Sequence, residues 1–273
     1  MAALEGYDMI VGVGWQAASY ASECADNDVM GTKYAVIDTD AGNEKVMSIT
    51  YNEEQAAYTM GVMAGLAFPD EELYGYIGCN EGAGSFKYVW GFCEGVRSIN
   101  PDAKFCFGWT GSYTDAKPAY DFTKQMVAAG CTYIFGGAAA CNEGIFQAAL
   151  ELAEEGTYVY SIAQDADATT PDNPYILSSQ LKNTGVSYQR IVDAFYADDM
   201  TAGAVVSDLS TGEIGATWIT NDGTYKNDAI LTDDVIAACQ DVVSKIISGE
   251  MTLELPEYEA YQETLKDITV SLF

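Results

Sequence analysis

The sequence contains no histidine. That removes the commonest general base near neutral pH, the Ser-His-Asp triad and histidine metal ligands. Basic residues are scarce as well. Twelve Lys plus Arg stand against 41 Asp plus Glu, giving a formal charge of -29. A field of that sign repels nucleic acid and anionic lipid headgroups, so neither is expected as a partner. There is no apolar run of about 18 residues, so no transmembrane helix is expected. The seven cysteines (Cys24, Cys79, Cys93, Cys106, Cys131, Cys141 and Cys239) form no CxxC pair, and their number is odd. They read as small buried hydrophobes rather than a disulfide framework. No Cys or carboxylate spacing argues for a metal, and no motif implies a cofactor. The opening MAALEGYDMI lacks a basic region followed by an apolar core, so it is not expected to be a signal peptide.

What is present is a chain of 273 residues, 49% hydrophobic, enough for one large domain or two ordinary ones. Its clearest stretch runs from Cys131 to Asp167. Thr132 to Phe135 reads as a buried strand and Gly136 to Gly144 as a small-residue loop. Ile145 to Glu155 then reads as a helix and Thr157 to Ala163 as a second strand. This is a βαβ unit, the crossover that parallel strands require. Ligands of open α/β sheets bind beyond the carboxyl ends of the strands, so the loop and Asp165 are the first place to look for function.

The same alternation runs along the chain. Strands are expected at Tyr7 to Val13, Tyr34 to Ile37, Val46 to Tyr51, Leu73 to Cys79, Ala103 to Trp109 and Tyr175 to Leu181. Helices are expected over 16–25, 53–67, 84–98, 116–129 and 185–197, and over 232–248 with Thr232 as N-cap. Ala57, Met60, Gly61 and Ala64 share a helical face and suggest close packing on a sheet. Ala204 to Leu209 and Ile214 to Ile219 read as a hairpin-like pair. The segment from Met251 reads as an acidic tail ending in the apolar ITVSLF. Strands alternating with helices give an α/β fold of doubly wound parallel sheets. Breaks at Gly111-Ser112-Tyr113-Thr114-Asp115 and Pro171-Asp172-Asn173-Pro174 suggest two lobes. They divide the chain into 1–107 with 175–199, 108–174 with 200–252, and a tail at 253–273. Trp109 and Tyr113 then read as hinge or cleft residues.

In order, the segments GYDMIVGVGWQ, KYAVIDTD, VMSITYNEEQAAYTMGVMAGL, YGYIGCNEGAG, GWTGSYTDAKPA, YIFGGAAACNEGIFQAALE, QDAD, PDNPYILSSQLKN and GEIGATWITND resemble the basic-membrane-protein (BMP) family. The resemblance covers about Gly6 to Glu250. It implies a type I periplasmic-binding-protein fold, two hinged lobes, and service as the substrate-binding lipoprotein of an ABC importer. It further implies a purine nucleoside as ligand, an ABC permease as partner and an extracytoplasmic, membrane-anchored location. Family members begin with a strand and helix before the GYD segment, so the first strand and helix of lobe 1 are expected to be missing. The apolar C-terminal strand, a homo-oligomer or partner chain, or a separately encoded segment would fill that place.

Six residues are candidates for ligand contact. A carboxylate at Asp165 would accept two hydrogen bonds from a vicinal diol, as on ribose, or would serve as a loop or cap acid. The family pattern places a sugar-contacting acid here. Asp38 ends its strand in the same way and either reaches the ligand or forms a turn. Gly137 and Asn142 belong to a loop whose backbone N–H groups would approach a ligand, or which simply turns the chain. Trp15 would stack on a flat base or pack in the core. Lys182 would donate to a ligand oxygen, hold Asp165, or lie on the surface. Asp167, Glu53 and Glu54 read as structural, the last two as first-turn helix acids. A small-molecule binding protein without catalytic residues is the reading these carry. The alternatives are an enzyme acting on a nucleoside or sugar through Asp38 or Asp165, and a ligand-sensing or degenerate paralogue.

Overall fold

The computed structural model describes residues 5–273, so residues 1–4 of the segment read for a leader lie outside the described residues. In chain order the elements are β1 (Met9–Val13), α1 (Ala17–Asp26), β2 (Lys33–Ile37), β3 (Val46–Tyr51), α2 (Glu53–Ala67) and β4 (Leu73–Gly78). Then come α3 (Ala83–Ile99), β5 (Lys104–Trp109), α4 (Lys117–Ala128), β6 (Tyr133–Gly137), α5 (Asn142–Glu154) and β7 (Tyr160–Asp165). The chain continues through β8 (Ile176–Lys182), α6 (Thr184–Tyr196), β9 (Gly203–Ser207), β10 (Ile214–Ala216), α7 (Asp233–Ser248) and α8 (Tyr258–Ile268).

The chain forms two compact units. One takes the residues up to Asn52 together with Asn183–Ile214, the other Glu53–Lys182 with Gly215–Phe273. The first contains a sheet in the order β1-β2-β3-β9 with parallel pairing throughout. The second contains a six-stranded sheet, β10-β8-β7-β6-β4-β5, whose pairs from β5 to β8 are parallel. The α/β expectation therefore holds, but the chain divides elsewhere than at 107/108 and 174/175. Those two breaks are loops inside the second unit. Ser112 Oγ accepts from the N–H groups of Thr114 and Asp115, which makes a turn between β5 and α4. Asn173 holds the Pro171–Pro174 loop by donating to the Phe146 carbonyl and accepting from Tyr175 N–H. Trp109 and Tyr113 accordingly lie within that unit and not at its boundary. The real boundaries fall beside Asn52, Lys182 and Ile214, where no Gly-Pro cluster marks them.

Two further expectations change. The 204–219 region is not a hairpin, because β9 pairs with β3 and β10 lies beside β8 in the other sheet. The turn at Asp208, whose carboxylate accepts from Ser210 N–H at 2.8 Å, joins strands of different sheets. The tail is not irregular either. α8 packs Tyr258, Tyr261 and Leu265 against Phe86 and Trp90 of α3. Beyond it Val270 N–H donates to the Phe105 carbonyl at 2.8 Å, so the apolar terminus lies along β5, the edge of the six-stranded sheet. It fills no place in the first unit.

Helix α2 is buried on almost every side, which marks an interior helix. Its small-residue face meets α3 through Gly61, while Met60 reaches the sheet at Ser178 of β8. A Cβ on Gly61 would collide with the Phe92 carbonyl, and one on Gly95 with the Tyr58 carbonyl. The two helices touch backbone to backbone only because both positions lack a side chain. Gly95→Ala should therefore lower stability by about 2 kcal/mol through overpacking, read as a lower urea midpoint for the second unit. An unchanged midpoint would mean that the helices separate freely.

Candidate ligand site at the carboxyl edge of the second sheet

In the six-stranded sheet the chain leaves β4 for β5 on one side and then crosses back to β6 on the other. The order therefore reverses between β4 and β6, and a crevice opens at the carboxyl ends of these strands. Gly78 and Gly137 are register partners at that point. Gly137 is required there, since a Cβ would strike the Tyr76 hydroxyl. That hydroxyl is buried and has no hydrogen-bond partner among the described residues. Asn142 shapes the loop from inside. It is 5% exposed, accepts from Ala138 N–H at 3.0 Å and donates to the Gly136 carbonyl at 2.8 Å. Both ends of its amide thus serve the β6–α5 turn.

Next to the crevice, β7 ends at Asp165 and β8 at Lys182. Lys182 is nearly buried, with a side chain 10% exposed. Its Nζ stands 3.6 Å from Asp165 Oδ1 and 4.0 Å from Glu53 Oε1, and donates to Tyr88 Oη at 3.2 Å. Lys87 adds a second ammonium, 3.0 Å from Glu53 Oε2. Two acids and two lysines pair here in a strongly acidic chain, and the buried Glu54 lies beside Glu53 and Lys87. Burial pushes the Glu53 carboxyl above its usual range, and the Lys87 and Lys182 ammoniums pull it part of the way back. Burial also holds the Tyr88 hydroxyl well above its ordinary pKa, so it accepts from Lys182 as a neutral phenol. The Cys79 thiol at the end of β4 is pushed up to about 11 by burial, which makes it a poor nucleophile at neutral pH.

Asp165 is the half-exposed member of the cluster, and its backbone sits at φ 71. Left-handed backbone is uncommon for a residue with a Cβ and points to a position with a job beyond the strand. The first unit repeats the arrangement independently. Asp38 follows β2 at φ 74, with its N–H bonded to the Ile49 carbonyl at 2.8 Å. Trp15 follows β1 and is 63% exposed, so it is not a core residue. Among the sequence candidates, Asp165, Lys182 and Gly137 thus gather at one edge of the second sheet. Asn142 supports that edge, and Trp15 and Asp38 end strands of the first. Glu53, Lys87 and Tyr88 belong to the cluster but were not anticipated. Their signal was weak, because a first-turn glutamate and a helical lysine look like ordinary surface residues.

Asp167 lies two residues on and has a different task. Its carboxylate accepts from the backbone and hydroxyl groups of both Thr169 and Thr224. This ties the 217–225 loop to the end of β7.

Comparison with known proteins gives the class to which this chain belongs. Residues 2–256 match the family model described as Bmp, ABC transporter substrate-binding protein PnrA-like. The chain belongs to this family. A crystal structure of an ABC transporter solute-binding protein from Aeropyrum pernix superposes with a TM-score of 0.83 at 22% identity, over 98% of this chain and 83% of that one. The CD4+ T-cell-stimulating antigen of Listeria innocua is 23% identical over 92% of this chain and 71% of its own length. The nucleoside-binding protein BmpA of Lactococcus lactis is 24% identical over 74% of this chain and 61% of its own.

The loop anchor allows a pH test. Burial alone would raise the Asp167 pKa, but the hydrogen bonds from Thr169 and Thr224 outweigh it and hold the carboxyl below its usual value of 3.8. A lowered folded pKa contributes stability above the unfolded pKa and loses it as pH falls through the folded one. Asp167→Asn should therefore melt below wild type at pH 7, and the gap should close as pH drops under that value. A gap that stays constant with pH would assign the loss to packing.

Proposed function

We propose that the protein delivers a small, uncharged, hydroxyl-rich ligand, a purine nucleoside, to an ABC permease outside the cytoplasm. The observation that carries this reading is the Asp165–Lys182 pair at the carboxyl edge, beside the point where the strand order reverses. Asp165 would accept from the two ribose hydroxyls, and Lys182 would hold that carboxylate in place. Asp38 and Trp15 would give the first unit an acceptor and an aromatic face at the ends of its own strands. The relative from Lactococcus lactis is named for nucleoside binding, which supports the same ligand class. Capture and release would then be the activity, with Asp165 and Lys182 acting as ligand contacts.

Calorimetric titration with guanosine, inosine and adenosine tests the proposal. At least one should bind, and Asp165→Asn should weaken it about ten- to a hundredfold, the worth of hydrogen bonds to a charged group. No heat with any of the three, from protein shown to be folded, would overturn the nucleoside reading. Chromatography of the incubated nucleoside should show it unchanged; turnover that Asp38→Asn or Asp165→Asn abolishes would make the protein a hydrolase instead.

A further inference from the structure

Away from the Asp165–Lys182 cluster, the second unit holds a cavity of about 600 Å³ under its C-terminal segment. That volume lies within the usual range of small-molecule sites. One wall is the edge strand β5. Phe105, Phe107 and Trp109 alternate onto a single face of it, as strand geometry demands. Phe105 is fully buried, while Phe107 and Trp109 stand at the cavity with their rings within 5° of parallel and 6.3 Å apart. α3 supplies Phe86 from the opposite side, and α8 closes the cavity with Gln262 and Leu265. The segment beyond α8 crosses the sheet edge. Val270 N–H donates to the Phe105 carbonyl, and Phe273 rests on Phe122 of α4 with ring centroids 4.6 Å apart.

One polar group in this lining is unexplained. Gln262 Nε2 is buried and has no acceptor among the described residues. An unmade hydrogen bond of this kind is unfavourable unless something supplies the acceptor. Glu81 and Lys266, of opposite sign, also line the cavity, so its lining charges cancel.

We propose that this cavity, which borders the β4–β6 crevice through Trp109 packed on Tyr76 but does not include Asp165 or Lys182, is a second binding site for a flat, neutral aromatic molecule carrying one hydrogen-bond acceptor. The ligand lies against Phe107 and Trp109, which favour offset stacking, and its acceptor takes the Gln262 amide. The closure by α8 and the terminal segment makes occupancy report on the order of the C-terminus. None of this depends on the nucleoside reading, because neither Asp165 nor Lys182 lines the cavity.

The test uses the full chain and Prodan, a neutral naphthyl ketone whose emission responds to polarity and to hydrogen bonding at its carbonyl. Titration should show saturable, one-to-one binding with blue-shifted emission. Leu265→Trp, which narrows the cavity beneath α8, should weaken it at least about tenfold. Gln262→Leu should weaken it about three- to tenfold, the worth of one neutral hydrogen bond. Asp165→Asn should leave it within about twofold, as expected for independent sites. Circular dichroism confirms that each variant is folded; if Leu265→Trp is not, Gln262→Leu decides. Absence of saturable binding, full binding in both cavity variants, or loss of binding in Asp165→Asn would each overturn the proposal.

Discussion

A parallel strand cannot turn straight back into its neighbour; it must cross a face of the sheet and re-enter from the same end. Every carboxyl end of such a sheet therefore collects along one edge, however far apart the residues lie in sequence. That constraint brings Gly78, Gly137, Asp165 and Lys182 together from stretches more than a hundred residues apart. Reversal of strand order between β4 and β6 then decides where along the edge a solute finds depth. The Gly61–Gly95 approach of α2 and α3 matters to the same end. It seats the first turn of α2, with Glu53, against Lys87 of α3 and Lys182 of β8.

The electrostatics of this edge run against the rest of the chain. Lysine and arginine are few, yet two lysines converge on one buried glutamate. Burying charges is unfavourable unless they are paired and hydrogen-bonded, so such a cluster is poor evidence for stability. It is better understood as a device for orientation. Lys182, held by Tyr88 and Glu53, approaches Asp165 from a fixed direction and leaves that carboxylate half exposed. A carboxylate fixed in this way keeps its acceptor geometry without a ligand, which lowers the ordering cost of binding.

Much of the element order was legible because it rests on periodicity. α2 was expected at 53–67 and spans Glu53–Ala67, and Thr232 does cap α7, accepting from Val235 N–H. The division into units was not legible. Gly and Pro mark turns, and the Gly111 and Pro171 breaks are turns, but a chain passing from β3 into α2 at Asn52 needs no special backbone. α8 was hidden for another reason: a short, acidic, isolated helix has little signal until Phe86 and Trp90 are there to receive it. At the proposed site, the positions of Asp165 and Lys182 at strand ends were readable. Glu53 and Tyr88 were not, because their role depends on a helix-to-sheet contact that sequence spacing does not encode. Asn142 was singled out as a ligand contact, yet both ends of its amide bond the loop backbone.

The backbone itself argues that the strand-end aspartates matter. Asp38 and Asp165 lie in different units and different sheets, yet each adopts a positive φ at the carboxyl end of its strand. Aspartate tolerates this conformation better than most residues, so the strain at each site is modest. A turn alone would have been served as well by glycine. Asp198, at φ 53 just past α6, uses the same backbone to end a helix, so positive φ by itself marks only a change of direction. What sets Asp38 and Asp165 apart is their place at the carboxyl ends of β2 and β7, where the chain must leave a parallel sheet.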